Sequence, residues 1–251
     1  MMRKAPTSKM SVYFVSDLHL KPERPDLTRA FSQLLTSISN DAERLYMLGD
    51  IFEAWVGDDT PVPDLSYVLD QLRELSDQGC LLFFQKGNRD FLVGNALSER
   101  IGAEILDDSV VHNLSIGPVL LMHGDQLCTD DKEYIQFRSM VRNPLWQQQF
   151  LEKSLDERLE IARQLRETSQ QRGQEKAEYI TDVSPDAVEQ AILSADVNIL
   201  IHGHTHRPAV HTLNYSDKEA TRIVLGDWDK KGWYLKIEDG NYRLIDFDIN
   251  A

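Results

Sequence analysis

Ser11-Val-Tyr-Phe-Val15, followed at once by Ser16-Asp17-Leu18-His19, is the stretch on which the fold turns. A short, mostly apolar run bounded by polar residues reads as a buried strand. Here it stops at a carboxylate and an imidazole, both metal-type ligands. The arrangement recurs four times. Leu45-Tyr-Met-Leu48 ends in Gly49-Asp50, and Leu81-Leu-Phe-Phe84 leads into Gly87-Asn88-Arg89-Asp90. Val119-Leu-Leu-Met122 ends at His123-Gly124-Asp125, and Val197-Asn-Ile-Leu-Ile201 at His202-Gly203-His204-Thr205-His206. Strands that end this way place their donors along one edge of a sheet, where open α/β folds carry their sites.

Helical patterns separate the strands. Asp26 to Ile38 sets Leu27, Phe31, Leu34 and Ile38 on one face, and Asp64 to Leu75 repeats this with Leu65, Val68, Leu72 and Leu75. Asp64 after Pro63 predicts an N-cap, as does Ser184 before Pro185, which opens a helix through Leu193. Alternating strands and helices predict a layered α/β fold. After His206 the runs Arg222–Gly226, Trp233–Ile237 and Tyr242–Asp246 predict strands that form or extend a second, more antiparallel sheet, joined by turns such as Asp239-Gly240.

The stretch between His123 and Val197 breaks the alternation, with a strand-like run only near Tyr179. It is rich in Gln, Glu and Arg, with Leu151, Leu155, Leu159, Ala162 and Leu165 at helical spacing. This predicts a helical insertion. Its charge alone would fit a solvated hairpin, but Phe137, Trp146 and Phe150 are more aromatic surface than a small hairpin buries, which argues for a cap over the metal edge.

Lys and Arg number 27 against 41 Asp and Glu, a net charge of −14. That balance opposes broad, non-specific nucleic-acid binding, which relies on basic surface. The two cysteines, Cys80 and Cys128, suit packed thiols in a reduced cytoplasm. Met1 to Met10 is basic without an apolar signal core, and no run reaches the ~20 apolar residues of a membrane span.

A lone Asp-x-His is ordinarily a buried histidine with a hydrogen-bonded partner, and Gly-Asp or Gly-Asn an ordinary turn. The conjunction is what points to metal. Asp17, His19, Asp50, Asn88, His123, His204 and His206 each follow a strand. One ion takes about four to six donors, so seven of mixed type imply two ions sharing a ligand. Asp50, central in the set, is the candidate bridge. Carboxylate, amide and imidazole suit Mn²⁺, Fe²⁺ or Zn²⁺, and a paired-ion site predicts phosphoester hydrolysis.

Asp-x-His, Gly-Asp, Gly-Asn-x-Asp, His-Gly-Asp and Gly-His-Thr-His in this order resemble the calcineurin-like metallophosphoesterases, from Val12 to about Trp228. The resemblance implies an α/β fold: a layered β-sandwich flanked by helices over residues 10–251, with a helical cap insertion over 130–180. By motif, Asp17, His19, Asp50 and His206 would hold one ion, and Asp50, Asn88, His123 and His204 the other. Much of the family has His where this chain has Arg89. Arginine cannot act as an acid near neutral pH, but its fork grips phosphate bidentately; an ion pair with Asp90 is the plainer role.

Gly87-Asn-Arg-Asp-Phe91, Gly49 through Asp59, His123 through Asp131 and the long insertion are similar to the branch of that family that hydrolyses UDP-2,3-diacylglucosamine in lipid A synthesis. That resemblance implies two Mn²⁺ ions and activated water attacking the phosphorus nearer uridine. Asn88 and Arg89 would be catalytic and, with His204, would meet the phosphates. Asp131, Ser169 and Lys176 would bind substrate, with Arg166 a further candidate. Gly173 departs from the Asn common at its position. The substrate would be a UDP-linked diacylated glucosamine, sheltered by Phe137, Trp146, Phe150, Phe91 and Leu92. The expected location is the cytoplasm of a Gram-negative bacterium, peripheral to the inner membrane, with no nucleic acid and no obligate protein partner.

Overall fold

The computed structural model describes residues 10–175, 182–215 and 218–249, and side chains up to 167 in the first of these. In chain order the elements are β1 (Ser11–Val15), α1 (Pro25–Ile38), β2 (Ala42–Leu48), α2 (Ser66–Asp77), β3 (Leu81–Gln85), α3 (Asn95–Ile101), β4 (Ala103–Leu106), β5 (Ser109–Leu114) and β6 (Gly117–Met122). There follow α4 (Lys132–Val141), α5 (Pro144–Leu151), α6 (Leu155–Glu175), α7 (Pro185–Ser194), β7 (Ile199–His202), β8 (Ala209–Tyr215), β9 (Lys218–Val224), β10 (Lys231–Glu238) and β11 (Asn241–Asp248).

Two sheets pack face to face. One has the order β11-β10-β1-β2-β3-β4, the other β5-β6-β7-β9-β8. β1 through β4 run parallel, as do β6, β7 and β9, while the hairpin partners β11-β10, β5 and β8 are antiparallel. Side-chain alternation in β1 explains the layering. Val12 and Phe14 point between the sheets, towards Val119, Leu121 and Ile201. Tyr13 and Val15 point the other way, into the cluster that Leu27 and Phe31 of α1 share with Val68 and Leu72 of α2. On the far side, Leu120 and Leu200 meet Val188 and Ile192 of α7. Phe14, Tyr46 and Phe83 are in register across β1, β2 and β3 and stack with centroids 4.6 Å apart at each step. Each such pair is worth about 1 kcal/mol beyond its burial.

The structure corrects four expectations. The ligand-bearing strands do not share one sheet: β1, β2 and β3 lie in the first and β6 and β7 in the second. β10 and β11 extend the first sheet, because β10 pairs antiparallel with β1; β9 joins the second. Asp64 does not cap α2. A single 3-10 turn over Pro63–Leu65 precedes the helix, which lacks a side-chain cap, and buried Leu65 sets its start. The leucine spacing from 151 to 165 is not one helix. Ser154 and Glu157 form a capping box, Ser154 N donating to Glu157 Oε2 (3.0 Å) and Glu157 N to Ser154 Oγ (3.4 Å), so α6 starts afresh at Leu155. Leu151 and Leu159 are accordingly exposed.

Cys80 and Cys128 are both buried. Among the described residues no helix is long and apolar enough to cross a membrane.

Candidate metal centre and its cavity

The loops that leave β1, β2, β3, β6 and β7 converge at one end of the sandwich and bond to each other through their backbones. Asp17 N donates to Gly49 O (3.0 Å), His19 N to Asp50 O (3.0 Å) and Gly203 N to His123 O (2.8 Å). Asp17, His19, Asp50, His204 and His206 all have left-handed backbones, with φ between 50° and 68°. Only Asp196 and Asp239 otherwise share this conformation among the described non-glycine residues, so the strain, roughly 1–3 kcal/mol each, gathers at the site. Two glycines admit the close approach. A Cβ at Gly203 would stand 2.3 Å from Asp17 Oδ2, and one at Gly87 would stand 2.1 Å from Asp50 Oδ1.

Ligand atoms of Asp17, His19 and His206 lie within 4.8 Å of one another, as do those of Asp17, Asp50 and His123. Asp17 is thus common to both groups. Ser16 Oγ (2.6 Å) and His204 N (2.9 Å) donate to its Oδ2, while its Oδ1 is buried without a hydrogen-bond partner. Asp50 Oδ1 accepts from Arg89 N (2.7 Å), leaving Oδ2 free for another partner. His123 Nδ1 donates to Leu48 O (2.8 Å), which leaves its Nε2 facing Asn88 Oδ1 (3.1 Å) and Asp50 Oδ1 (3.7 Å). The His204 ring packs edge-on to His123 at 5.1 Å. All seven sequence candidates therefore meet in one place. Buried ligand atoms left without a hydrogen bond on Asp17 (Oδ1) and His19 (Nδ1), in an oxygen-nitrogen set without thiolate, fit divalent cations.

Electrostatics agree with that fit. Burial pushes the Asp50 carboxyl up to about 7, with Asp90 and Asp17 adding to the rise. Burial would raise Asp17 as well, but the His206 imidazole, 3.4 Å from its Oδ1, holds it well below the usual range. Partial desolvation would lower His206, whose side chain is 41% exposed, but that same contact with Asp17 pushes it up to about 9. Burial lowers His19 to about 3 and His204 to about 4. The His206 ring therefore carries a proton at neutral pH in the metal-free chain, and an incoming cation must displace it. Binding should release a proton below pH about 9, and affinity should tighten as pH rises towards that value. Calorimetric titration with Mn²⁺ in two buffers of different ionisation enthalpy checks this; identical heats in both would contradict it.

The centre opens into a cavity of about 510 Å³. Asp50, Asn88, Arg89, His19, His204 and His206 line one part; Phe91, Leu92, Phe137, Trp146, Phe150 and Leu165 line another. Trp146 stacks on Phe150 at 5.1 Å and faces Phe91 at 6.1 Å. Arg89 does not pair with Asp90. The Asp90 carboxylate is spent on four backbone amides, Gly87 (2.8 Å), Asp50 (3.2 Å), Ile51 (2.8 Å) and Phe52 (3.4 Å), and Arg89 Nε is buried without a partner. Asp131 borders the cavity and caps α4 through Tyr134 N (3.0 Å). Arg166 reaches Glu53 at 3.1 Å. The side chains of Ser169 and Gly173's neighbours, and all of Lys176, lie outside the described residues, as does Tyr179.

Other residues complete the site. Tyr134 packs its ring on His204 (5.8 Å) and donates its hydroxyl to Asp125 Oδ2 (2.7 Å). Glu53 Oε2 stands 3.7 Å from His19 Nδ1, and Asp227 Oδ2 3.5 Å from His206 Nδ1. Asp90, Asp125 and Glu53 lie within the motifs that carry the family resemblance; Tyr134 and Asp227 carry no local sequence signal.

The chain belongs to the calcineurin-like phosphoesterase family, whose model matches residues 10–208. It is 49% identical over 245 residues to a UDP-2,3-diacylglucosamine hydrolase of Chromohalobacter salexigens, covering 96% of this chain and 99% of that one. It is 47% identical over 240 residues to the enzyme of the same name from Pseudomonas fluorescens, covering 95% of each. A solved archaeal phosphodiesterase aligns over 95% of this chain and 100% of its own at 14% identity, with a TM-score of 0.51, a likeness of fold alone. Family membership and the clustered donors imply divalent metal ions.

Proposed function

We propose that this chain hydrolyses the pyrophosphate of UDP-2,3-diacylglucosamine to UMP and 2,3-diacylglucosamine 1-phosphate (lipid X), a step of lipid A synthesis, with two Mn²⁺ ions. One observation carries the reading: a single cavity joins the candidate ligands to an aromatic, apolar wall. A pyrophosphate bearing two acyl chains needs both, whereas a soluble nucleotide needs only the first. The names of the relatives support the same substrate.

On this reading Asp17, His19, Asp50 and His206 hold one ion and Asp50, Asn88, His123 and His204 the other. When bound, the ions supply charge neutralisation at the phosphoryl oxygens and a more acidic attacking water. Arg89, with its unpaired Nε at the cavity wall, grips the pyrophosphate and stabilises growing negative charge. Asn88 and His204 orient the phosphates, and Asp131, Ser169 and Lys176 bind the rest of the substrate. The water oxygen bonds to the phosphorus nearer uridine and the bridging P–O bond breaks, leaving phosphate on the sugar. Residues 130–180 act as a cap on a domain spanning 10–251. Met140, Leu145, Leu151 and Leu159, exposed on α4, α5 and α6, favour work against the inner membrane from the cytoplasm, where the lipid lies.

The test is Mn²⁺-dependent UMP release from UDP-2,3-diacylglucosamine beside UDP-N-acetylglucosamine. Turnover of the acylated substrate alone supports the reading; equal turnover of both marks a general pyrophosphatase. Phe150→Ala removes a ring from the apolar wall and should raise apparent KM about ten-fold, for roughly 1.5 kcal/mol of lost apolar contact, with metal content unchanged. Unchanged kinetics would remove Phe150 from the acyl pocket.

A further inference from the structure

Arg158, near the start of α6, is only 2% exposed. Its Nη1 donates to Val56 O (2.7 Å) and Asp59 Oδ1 (2.7 Å), and its Nη2 to Asp59 Oδ2 (2.5 Å). Its Nε is buried without a partner. The loop is shaped around it. Gly57 has φ +137°, and a Cβ there would stand 2.3 Å from Arg158 Nη1.

The position of this buried charge along α6 gives it a role. Ala162, Leu165 and Arg166 line the cavity, four, seven and eight residues further on, so Arg158 continues the same helix face. At the other end of that face, Arg166 pairs with Glu53, which stands beside His19. The face thus runs from the metal centre to Arg158, about 12 Å along the helix axis. The cavity wall between is apolar, with Phe150 and the side chain of Val56, whose carbonyl Arg158 holds. An alkyl chain that reached the guanidinium would have to displace these bonds and return none, leaving a buried charge uncompensated.

We propose that the Arg158–Asp59 clamp closes the apolar end of the cavity and sets the longest acyl chain the substrate can carry. This rests on the acylated-substrate reading above. Arg158→Met keeps an extended, apolar side chain but removes the charge and the bonds, so the chamber should lengthen. Each further methylene admitted is worth about four-fold in kcat/KM or affinity.

The experiment compares the wild type and Arg158→Met on UDP-2,3-diacylglucosamines from didecanoyl to dioctadecanoyl. Hydrolysis is followed by UMP release, and binding of the matching 2,3-diacylglucosamine 1-phosphates by tryptophan fluorescence. The expected result is a cut-off length that moves to longer chains in the variant in both assays. Superimposable length profiles would overturn the clamp. Ala162→Leu, which fills the chamber and leaves the clamp in place, guards against misfolding of the first variant: its cut-off should move to shorter chains, and an unmoved cut-off counts against the proposal. Length-dependent binding without hydrolysis would support the clamp while overturning the proposed reaction.

Discussion

Asp50→Asn should lower Mn²⁺-dependent hydrolysis on the order of a thousand-fold or more, equivalent to about 4 kcal/mol of transition-state stabilisation. The side chain is 2% exposed, faces Asp17 and His123, and also accepts the Arg89 amide. Asparagine preserves that acceptor, so the phosphate-gripping loop stays in place and the loss reports the charge itself. Asp50→Ala removes both and should be worse. The sign on stability is opposite. A carboxyl raised from an unfolded value near 3.8 to about 7 binds its proton more tightly in the folded state. Ionising it costs stability progressively as pH rises between those values, and the full cost stands above 7. The metal-free Asp50→Asn protein should therefore melt higher than metal-free wild type at pH 8, with the difference shrinking towards pH 4. Near-wild-type turnover of the variant at saturating Mn²⁺ would sink the assignment of Asp50 to the ions.

Asp90→Ala should be the most damaging change outside the ligands themselves. The wholly buried carboxylate gathers four amides from two loops, those of Gly87, Asp50, Ile51 and Phe52. Alanine leaves these donors facing a void. An unsatisfied buried donor costs about 1–3 kcal/mol, and partial relaxation to water keeps the total near 3–5 kcal/mol. For a chain of this size that is roughly a 10 °C fall in Tm. Metal affinity should fall with it, because the same amides hold Asp50 and Asn88 in position. A thermal melt and a Mn²⁺ titration on the one variant measure both effects. An unchanged melt would mean that the loops hold themselves.

The ligand-bearing strands were legible because an apolar run of four or five residues that stops at polar, ligand-type residues has few alternatives. β4, β5, β8 and α3 were not, since their patterns are short or mixed: β5 reads Ser-Val-Val-His-Asn-Leu, alternates exposed with half-buried positions and buries none fully. Asp64 looked like a cap because Pro-Asp before a helical pattern is a local signal, but burial of Leu65 outweighed it. The break at Ser154 was locally written as Ser-x-x-Glu and was overshadowed by the leucine spacing. Arg89 beside Asp90 suggested an ion pair, yet a carboxylate in the interior is better satisfied by several amides than by one flexible guanidinium.

Local pattern was enough to read which residues end the strands, their order along the chain, and so the oxygen-nitrogen character of the centre and the family the chain belongs to. Those are properties of local pattern, readable wherever apolar runs meet polar stops. The tertiary structure alone decided that the donors come from two sheets rather than one, that Asp17 stands between both ligand groups, and that Tyr134, Glu53 and Asp227 border them. It also decided that Arg158 is buried behind the cavity wall rather than solvated on a charged helix. Such facts depend on which faces pack together across large separations in sequence, and hydrophobic burial chooses those pairings without leaving a local mark.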